Sequence, residues 1–420
     1  MCAEPVSEPP NLQRRATLVD LHAHPSLKVS LFRRSLAGRA GPASAAFWPF
    51  SLRTDFVRLH EGAVDVLLSA VHIPEAPLFD DIPLLKLLRF FKPRAWRELV
   101  RPPYFQATLR ALDDMEAQVR EYRPRSGRRP VQLAHSITEL EASLAQGHDA
   151  PIAIVHSVEG AHSLQGDVAG KRPPETATKE ATAEILANLE ALHARGVALL
   201  TLAHFYPNYV AAPCFPFPEK MLRFGRWRRA LQRHDPARGL GPAGEAVVTR
   251  MLDLGMLVDV THCTPAARAA VYRLAEASGA RASVVATHVG VQAINPSPYN
   301  LADWEIRWLA DHGGVAGVIF MNDWLVPHES KLGLNHLVAT LQHLVDVGGE
   351  DVAALGTDFD GFTDPPDDLL DASQLPRLTR RLTAQRASPL QRRFGDERIG
   401  KILGGIALRV LREGWKKRST

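Results

Sequence analysis

The sequence predicts an α/β protein built as a (β/α)8 TIM barrel with an inserted helical segment. Three observations predict it. Eight short, largely apolar runs alternate with helical stretches along the chain. The runs are apolar on both faces, as strands of a helix-covered parallel sheet must be. Metal-ligand residue types sit at the ends of five runs, and a parallel barrel gathers its C-terminal strand ends into one pocket.

In chain order, the expected strands cover residues 17–24, 63–73, 152–159, 197–204, 257–262, 283–288, 315–322 and 352–358. Between them, 178–195 places Ile185, Leu186, Leu189 and Leu192 on one apolar stripe, and Gly196 ends that helix. Thr264 followed by Pro265 reads as an N-cap and first helical position, with Gly279 as the stop. Helices at 303–311 and 337–347 complete the later units, and 402–415 reads as a closing helix. One barrel is therefore expected over 17–415, with a tail at 1–16, an insertion at about 74–130 and a basic tail at 416–420.

Two connections exceed ordinary loop lengths. Residues 74–130 mix Leu84, Leu85, Leu87, Leu88, Phe90 and Phe91 with Lys86, Arg89 and Lys92. That composition fits a lid, a subunit contact, a membrane-surface helix, or simply an extra helix packed on the barrel. Residues 205–241 carry Tyr206, Tyr209, Phe215, Phe217 and Trp227 after the fourth strand. They either shape a pocket at the catalytic face or pack on themselves.

The chain has 420 residues, 45% hydrophobic and 23% charged, enough for one large core. A net charge of +4 is mild for this size, and no nucleic-acid module accompanies the basic runs at 123–129, 223–233 and 416–418. They read as solvated faces, and no nucleic-acid partner is expected. Three cysteines cannot make a disulfide framework, which suggests a reducing compartment. Cys263, beside His262, reads as packing, because strand alternation would turn it away from the pocket. Without an apolar leader or a run long enough to span a bilayer, the expected location is cytoplasmic, with no membrane partner.

The candidate ligands are His22, His24, Glu159, His262 and His288. His22 and His24 stand two apart on the first run, so their rings share a side. Such a pair chelates a borderline metal such as zinc. Glu159 ends its run before Gly160, which permits a tight turn, and a carboxylate with two oxygens can bridge two metals. His262 and His288 end corresponding runs in Val-Asp-Val-Thr-His and Val-Ala-Thr-His. Asp358, in Gly-Thr-Asp-Phe-Asp-Gly, is placed to position or deprotonate water, and Asp360 ranks second. Metal-assisted hydrolysis is the chemistry this set best supports.

The chain resembles the membrane dipeptidase (renal dipeptidase) family of zinc peptidases, within the amidohydrolase superfamily. The resemblance runs through Val-Asp-Leu-His-Ala-His (19–24), Val-Glu-Gly-Ala-His-Ser (158–163) and Leu-Thr-Leu-Ala-His (200–204). It continues through 239–262, Ala-Thr-His (286–288), Gly356 to Gly361 and Ile-Leu-Gly-Gly (402–405). It implies two zinc ions, one held by His22 and His24, the other by His262 and His288, with Glu159 bridging them. Asp358 would contact the nucleophilic water, and His204 the substrate or its tetrahedral intermediate. Tyr299 and Asn300 are the further expected substrate contacts. A dipeptide-like substrate and a homodimer are implied as well.

Three departures stand out. His24 replaces the family's usual aspartate, Tyr299 falls where an arginine holds the substrate carboxylate, and Ile406 replaces the asparagine of a Gly-Gly-Asn motif. A phenol cannot make arginine's charged, two-pronged contact. A neutral ligand at 24 should leave the metals more electrophilic. The expected activity is hydrolysis of a dipeptide by metal-activated hydroxide, with His204 steadying the oxyanion and Asp358 carrying the proton to the leaving amine. The alternative is another hydrolase of the superfamily, acting on a different amide, a lactone or a phosphoester.

Overall fold

The structure is a computed structural model, described here for residues 10–39, 51–147, 150–166, 177–215, 234–327, 333–384 and 394–416. Its strands are β1 (Val19–Ala23), β2 (Val66–His72), β3 (Val131–Ala134), β4 (Ile152–Glu159), β5 (Leu199–Thr201), β6 (Leu257–Asp259), β7 (Val284–Val289), β8 (Val315–Val318) and β9 (Ala353–Leu355). All pair in parallel, in the order β1-β2-β4-β5-β6-β7-β8-β9. The ring closes just past β9. His24 N donates to Phe359 O, and Asp358 N to His22 O, each at 2.8 Å. Eight strands thus form the expected barrel, with helices such as Lys179–Ala194, Pro265–Ser278 and Leu334–Gly348 outside it.

Apart from β3 and the last residue of β2, every strand residue is buried. That follows from a sheet whose inner face fills the barrel and whose outer face meets helices. Thr178 caps its helix by accepting from Ala181 N, and Thr264 does the same with Ala267 N. Gly279 stops the latter helix in the left-handed region.

The sequence did not foreshadow β3. It pairs with Ile152 to Val155 of β4, while β5 takes Ser157 to Glu159 further along. β4 therefore supports two successive neighbours. Within the inserted segment, helix Tyr104–Glu121 buries Ala107, Ala111, Leu112, Met115 and Val119, the plain packing role among those expected. Its preceding turns leave Phe90 65% and Phe91 76% exposed. The supposed tail also contains a short helix, Asn11–Arg15, whose Gln13 is buried and donates to Gly62 O at 2.6 Å.

Other expectations meet the structure less simply. The closing helix is Ile406–Gly414, preceded by a wider π-turn, Lys401–Gly405. In the basic run at 123–129, Arg129 is no solvated side chain. It pairs with Asp65 at 2.8 Å and donates to Ala150 O at 2.7 Å. The run at 223–233, with Trp227, and also Phe217, Lys417 and Arg418, lie outside the described residues. Among the described residues, no helix is long and apolar enough to cross a membrane.

Candidate metal centre

His22 lies within β1 and His24 at the entry of the next helix, so the strand's alternation aims both rings into the barrel mouth. Their Nε2 atoms stand 3.0 Å apart. Glu159 reaches the same point from the end of β4. Its Oε1 lies 3.3, 3.1 and 3.4 Å from Nε2 of His22, His262 and His288. Its Oε2 lies 3.3 Å from His24 Nε2 and 3.4 Å from His204 Nε2. The Nε2 atoms of His262 and His288 are 3.1 Å apart. All five expected ligands thus converge, and Asp358 Oδ1 flanks them at 3.3 Å from His24. Each is almost wholly buried.

The chain leaves the regular ladder to deliver some of these groups. β5, β6 and β9 end three residues short of His204, His262 and Asp358. His262 and Asp358 then take φ of +66° and +53°, a left-handed conformation that side chains other than glycine seldom adopt. Held strain of this kind costs on the order of 1–3 kcal/mol per residue and gathers at functional sites. Gly160 turns at φ +87°, where a Cβ would lie 2.4 Å from the His162 ring. The strand-alternation reason for setting Cys263 aside therefore does not apply, since His262 and Cys263 lie beyond β6. Cys263 is nonetheless fully buried.

Hydrogen bonds beneath the cage decide which ring nitrogens carry protons. Thr287 Oγ1 donates to Asp259 Oδ2 at 2.6 Å. Its lone pairs then accept from Nδ1 of His288 at 2.9 Å and Nδ1 of His22 at 3.3 Å. In the neutral tautomer that this contact selects, both rings turn a bare Nε2 lone pair towards the Glu159 carboxylate. Acceptors aimed at acceptors in a dry pocket call for a cation between them. The donor set, imidazole nitrogen with carboxylate oxygen, suits zinc and its neighbours. The residues present therefore fit a metal centre. Asp259 is the hub below, also accepting from Thr201 Oγ1 at 2.6 Å and Thr261 Oγ1 at 2.7 Å.

The electrostatics agree. Burial disfavours a charged His24, yet Glu159 and Asp358 outweigh it and raise the imidazole to about 10. The acids seek positive charge. Burial, joined by neighbouring imidazoles, drives His288 and His204 well below the usual imidazole range. The rings stay free bases, which is the coordinating form.

Sequence reasoning passed over His72 and Glu75. His72 ends β2, and its Nδ1 lies 3.7 Å from Glu159 Oε2. Burial pushes it down to about 3. Glu75, raised by burial to about 8, accepts from Phe205 N and Tyr206 N and meets His204 Nδ1 at 2.8 Å. It fixes how His204 presents Nε2 to the pocket. The rule that found the other converging histidines, a histidine at the end of an apolar run, would also have found His72.

Tyr299 and Asn300 are placed differently from the other expected residues. The Tyr299 hydroxyl donates to His288 O at 2.8 Å, its ring packs 3.6 Å from Trp324, and it is 2% exposed. Asn300 accepts from Gly290 N and donates to Asn295 O and Trp324 O. Both are committed to holding the loop after β7. Asp360 is likewise structural, accepting from Arg53 N and Thr54 N at 3.0 Å.

Comparison with known proteins now bears on the chain. The family model "Membrane dipeptidase (Peptidase family M19)" matches residues 177–419. An uncharacterised protein from the pqqA 5′ region of Klebsiella pneumoniae is 36% identical over 186 residues, 44% of this chain and 64% of that protein. The dipeptidase aclJ of Aspergillus oryzae is 29% identical over 174 residues, 41% of this chain and 38% of that one. The chain thus spans less than two thirds of either relative. Among solved structures, a metallo peptidase from Rhodobacter sphaeroides, liganded with a phosphinate mimic of the dipeptide L-Ala-D-Ala, superposes with a TM-score of 0.67. It is 20% identical, covering 95% of this chain and 99% of its own. That likeness speaks to the barrel alone. His22, His24 and Glu159 precede the matched stretch, so their assignment rests on geometry. With more than half of its residues matching the family model, the chain belongs to the membrane dipeptidase family, Peptidase family M19.

Proposed function

We propose that the protein is a binuclear zinc dipeptidase that hydrolyses the peptide bond of a small dipeptide. The observation that carries this reading is the convergence of four imidazoles on the two oxygens of one buried glutamate. His22 and His24 would hold one ion, His262 and His288 the other, and Glu159 would bridge them. Bound zinc supplies Lewis acidity and lowers the pKa of water to about 7. The chain's own residues do the rest. Asp358 stands beside His24 at the rim, where its carboxylate accepts a proton from water and returns it to the leaving amine. Glu75 fixes the His204 ring, whose Nε2 side faces the pocket and stabilises the developing oxyanion. Burial excludes bulk water and strengthens each of these interactions.

The dipeptide class comes from the relatives, and one observation favours a second reading. Tyr299 stands in place of the expected arginine and spends its hydroxyl on His288 O. A carboxylate-bearing substrate loses its bidentate partner there, which favours a different amide, a lactone or a phosphoester. The paucity of cysteines fits a cytoplasmic setting, and a homodimer is carried over from the family.

The test begins with the zinc content of the purified protein. About two equivalents are expected, with activity lost on chelation and restored by zinc. A panel of dipeptides, N-acyl amino acids, lactones and phosphoesters assigns the substrate class. Asp358→Asn should lower kcat by about 10²–10⁴-fold while keeping the metal. Less than one equivalent of zinc with no recovery on adding it, or full turnover by Asp358→Asn, overturns the mechanism.

A further inference from the structure

A second group of ligand-type side chains lies on the outer side of the barrel wall. His156 stands three residues before Glu159 on β4, so strand alternation turns its ring away from the pocket and towards the helices. There it meets Glu116 of helix Tyr104–Glu121 and His135, one residue past β3. One donor atom from each lies within 4.8 Å of the other two.

His156 is 1% exposed, and among the described residues neither ring nitrogen has a hydrogen-bond partner. Its Nε2 approaches Glu116 Oε1 only to 3.5 Å, a long contact for a buried imidazole. A buried imidazole left so is uncommon, and an ion is one of the few things that accounts for it. Burial keeps His156 below the usual imidazole range, in its coordinating form.

The neighbours complete the picture. Glu139 accepts from His135 N at 3.0 Å and stands 3.4 Å from His135 Nδ1. Carboxylates commonly orient ligating histidines this way. Arg195 pairs with Glu116 at 2.5 Å and Asp113 at 2.8 Å. It pins the Glu116 carboxylate in place, while Asp113, 64% exposed, is largely solvated. Arg120, 3.7 Å from Glu116 Oε2, is 66% exposed and screened by solvent.

We propose that Glu116, His135 and His156 bind one divalent ion of the zinc class. Such an ion would clamp the inserted helix Tyr104–Glu121 to the β3–β4 wall, leaving the exposed side of His135 open to a solvent ligand. Two imidazoles and a carboxylate form a donor set that zinc accepts. The site is separate from the catalytic pocket and does not depend on what that pocket hydrolyses.

The test is equilibrium dialysis of Zn²⁺ against enzyme already carrying its full active-centre zinc. One further equivalent is expected in the wild type. It should weaken by about tenfold or more in His135→Ala, with turnover unchanged, because His135 is no part of the catalytic machinery. Added zinc should also raise the melting temperature of the wild type and not that of the variant. His135→Asn, closer in size and polarity, repeats the measurement if the alanine variant folds poorly. No further equivalent, or equal affinity in wild type and both variants, overturns the proposal.

Discussion

The Thr287 hydroxyl gives its proton to Asp259 and accepts from Nδ1 of both His22 and His288. This is how a residue that never enters the pocket settles the tautomers of two that do. Lys28 shows the opposite situation, a charge that the fold tolerates at a cost. Burial lowers its amine to about 8, against the opposing pull of Asp360, and Nζ sits 4.1 Å from the Phe362 ring. The folded pKa lies below the ordinary 10.5, so the unfolded chain binds more protons between those values. Stability should therefore rise as pH climbs from about 8 to about 10.5, by up to roughly 1.4 kcal/mol per pH unit in mid-window. Denaturant unfolding of wild type and Lys28→Met across that range checks it: the variant should lose this part of the slope. Equal slopes refute the assignment. At this scale the converging side chains were legible, because several histidines and a glutamate ending successive apolar runs form a pattern that core packing alone seldom produces. Thr287, Asp259 and Glu75 were not, since a threonine or acid that serves another side chain leaves no pattern of its own.

The loop following β7 is the element on which pocket specificity should turn, and a buried ion pair holds it. Arg268 meets Glu305 at 2.5 Å and 3.0 Å and donates to Cys263 O and Pro298 O, with both side chains 1% exposed. Removing one partner strands the other charge. Arg268→Ala should cost about 3–5 kcal/mol, while Arg268→Met combined with Glu305→Leu should cost distinctly less. Urea midpoints of the two variants decide it, and equal losses would mean that packing rather than charge matters there. Neither charge announces burial in the sequence, where both sit on helices that could equally face solvent. Elements themselves were easier to foresee. Long amphipathic helices and apolar runs appear where the periodicity puts them. Strand ends were overestimated at His204, His262 and Asp358, because an apolar run continues after its ladder has ended. β3 escaped notice because its four residues, Val-Gln-Leu-Ala, alternate too briefly to stand out and remain mostly half-buried.

For the molecule as a whole, the metal centre and the barrel should stabilise one another. Four rings and an acid in a dry pocket repel or strand their polar atoms without a cation, so chelation should lower the melting temperature. Added zinc should raise it again by an amount that grows with the logarithm of free metal. Calorimetry of the metal-free and reloaded protein checks this, and a melting temperature indifferent to zinc would separate the site from the fold. The closure of the ring was foreseeable from eight alternating units. Its lock was not: Thr357 N and Oγ1 donate to Asp20 at 2.9 and 2.7 Å, joining positions 337 residues apart. Local patterns cannot report contacts across that distance. The lock also has a bearing on biosynthesis. A nascent chain emerging from the ribosome carries Asp20 and His22 long before it carries Thr357 and Asp358. Until they are made, the buried Asp20 carboxylate lacks its threonine partner and the ring stays unlocked, so the converging side chains stand on an open sheet rather than in a sealed pocket.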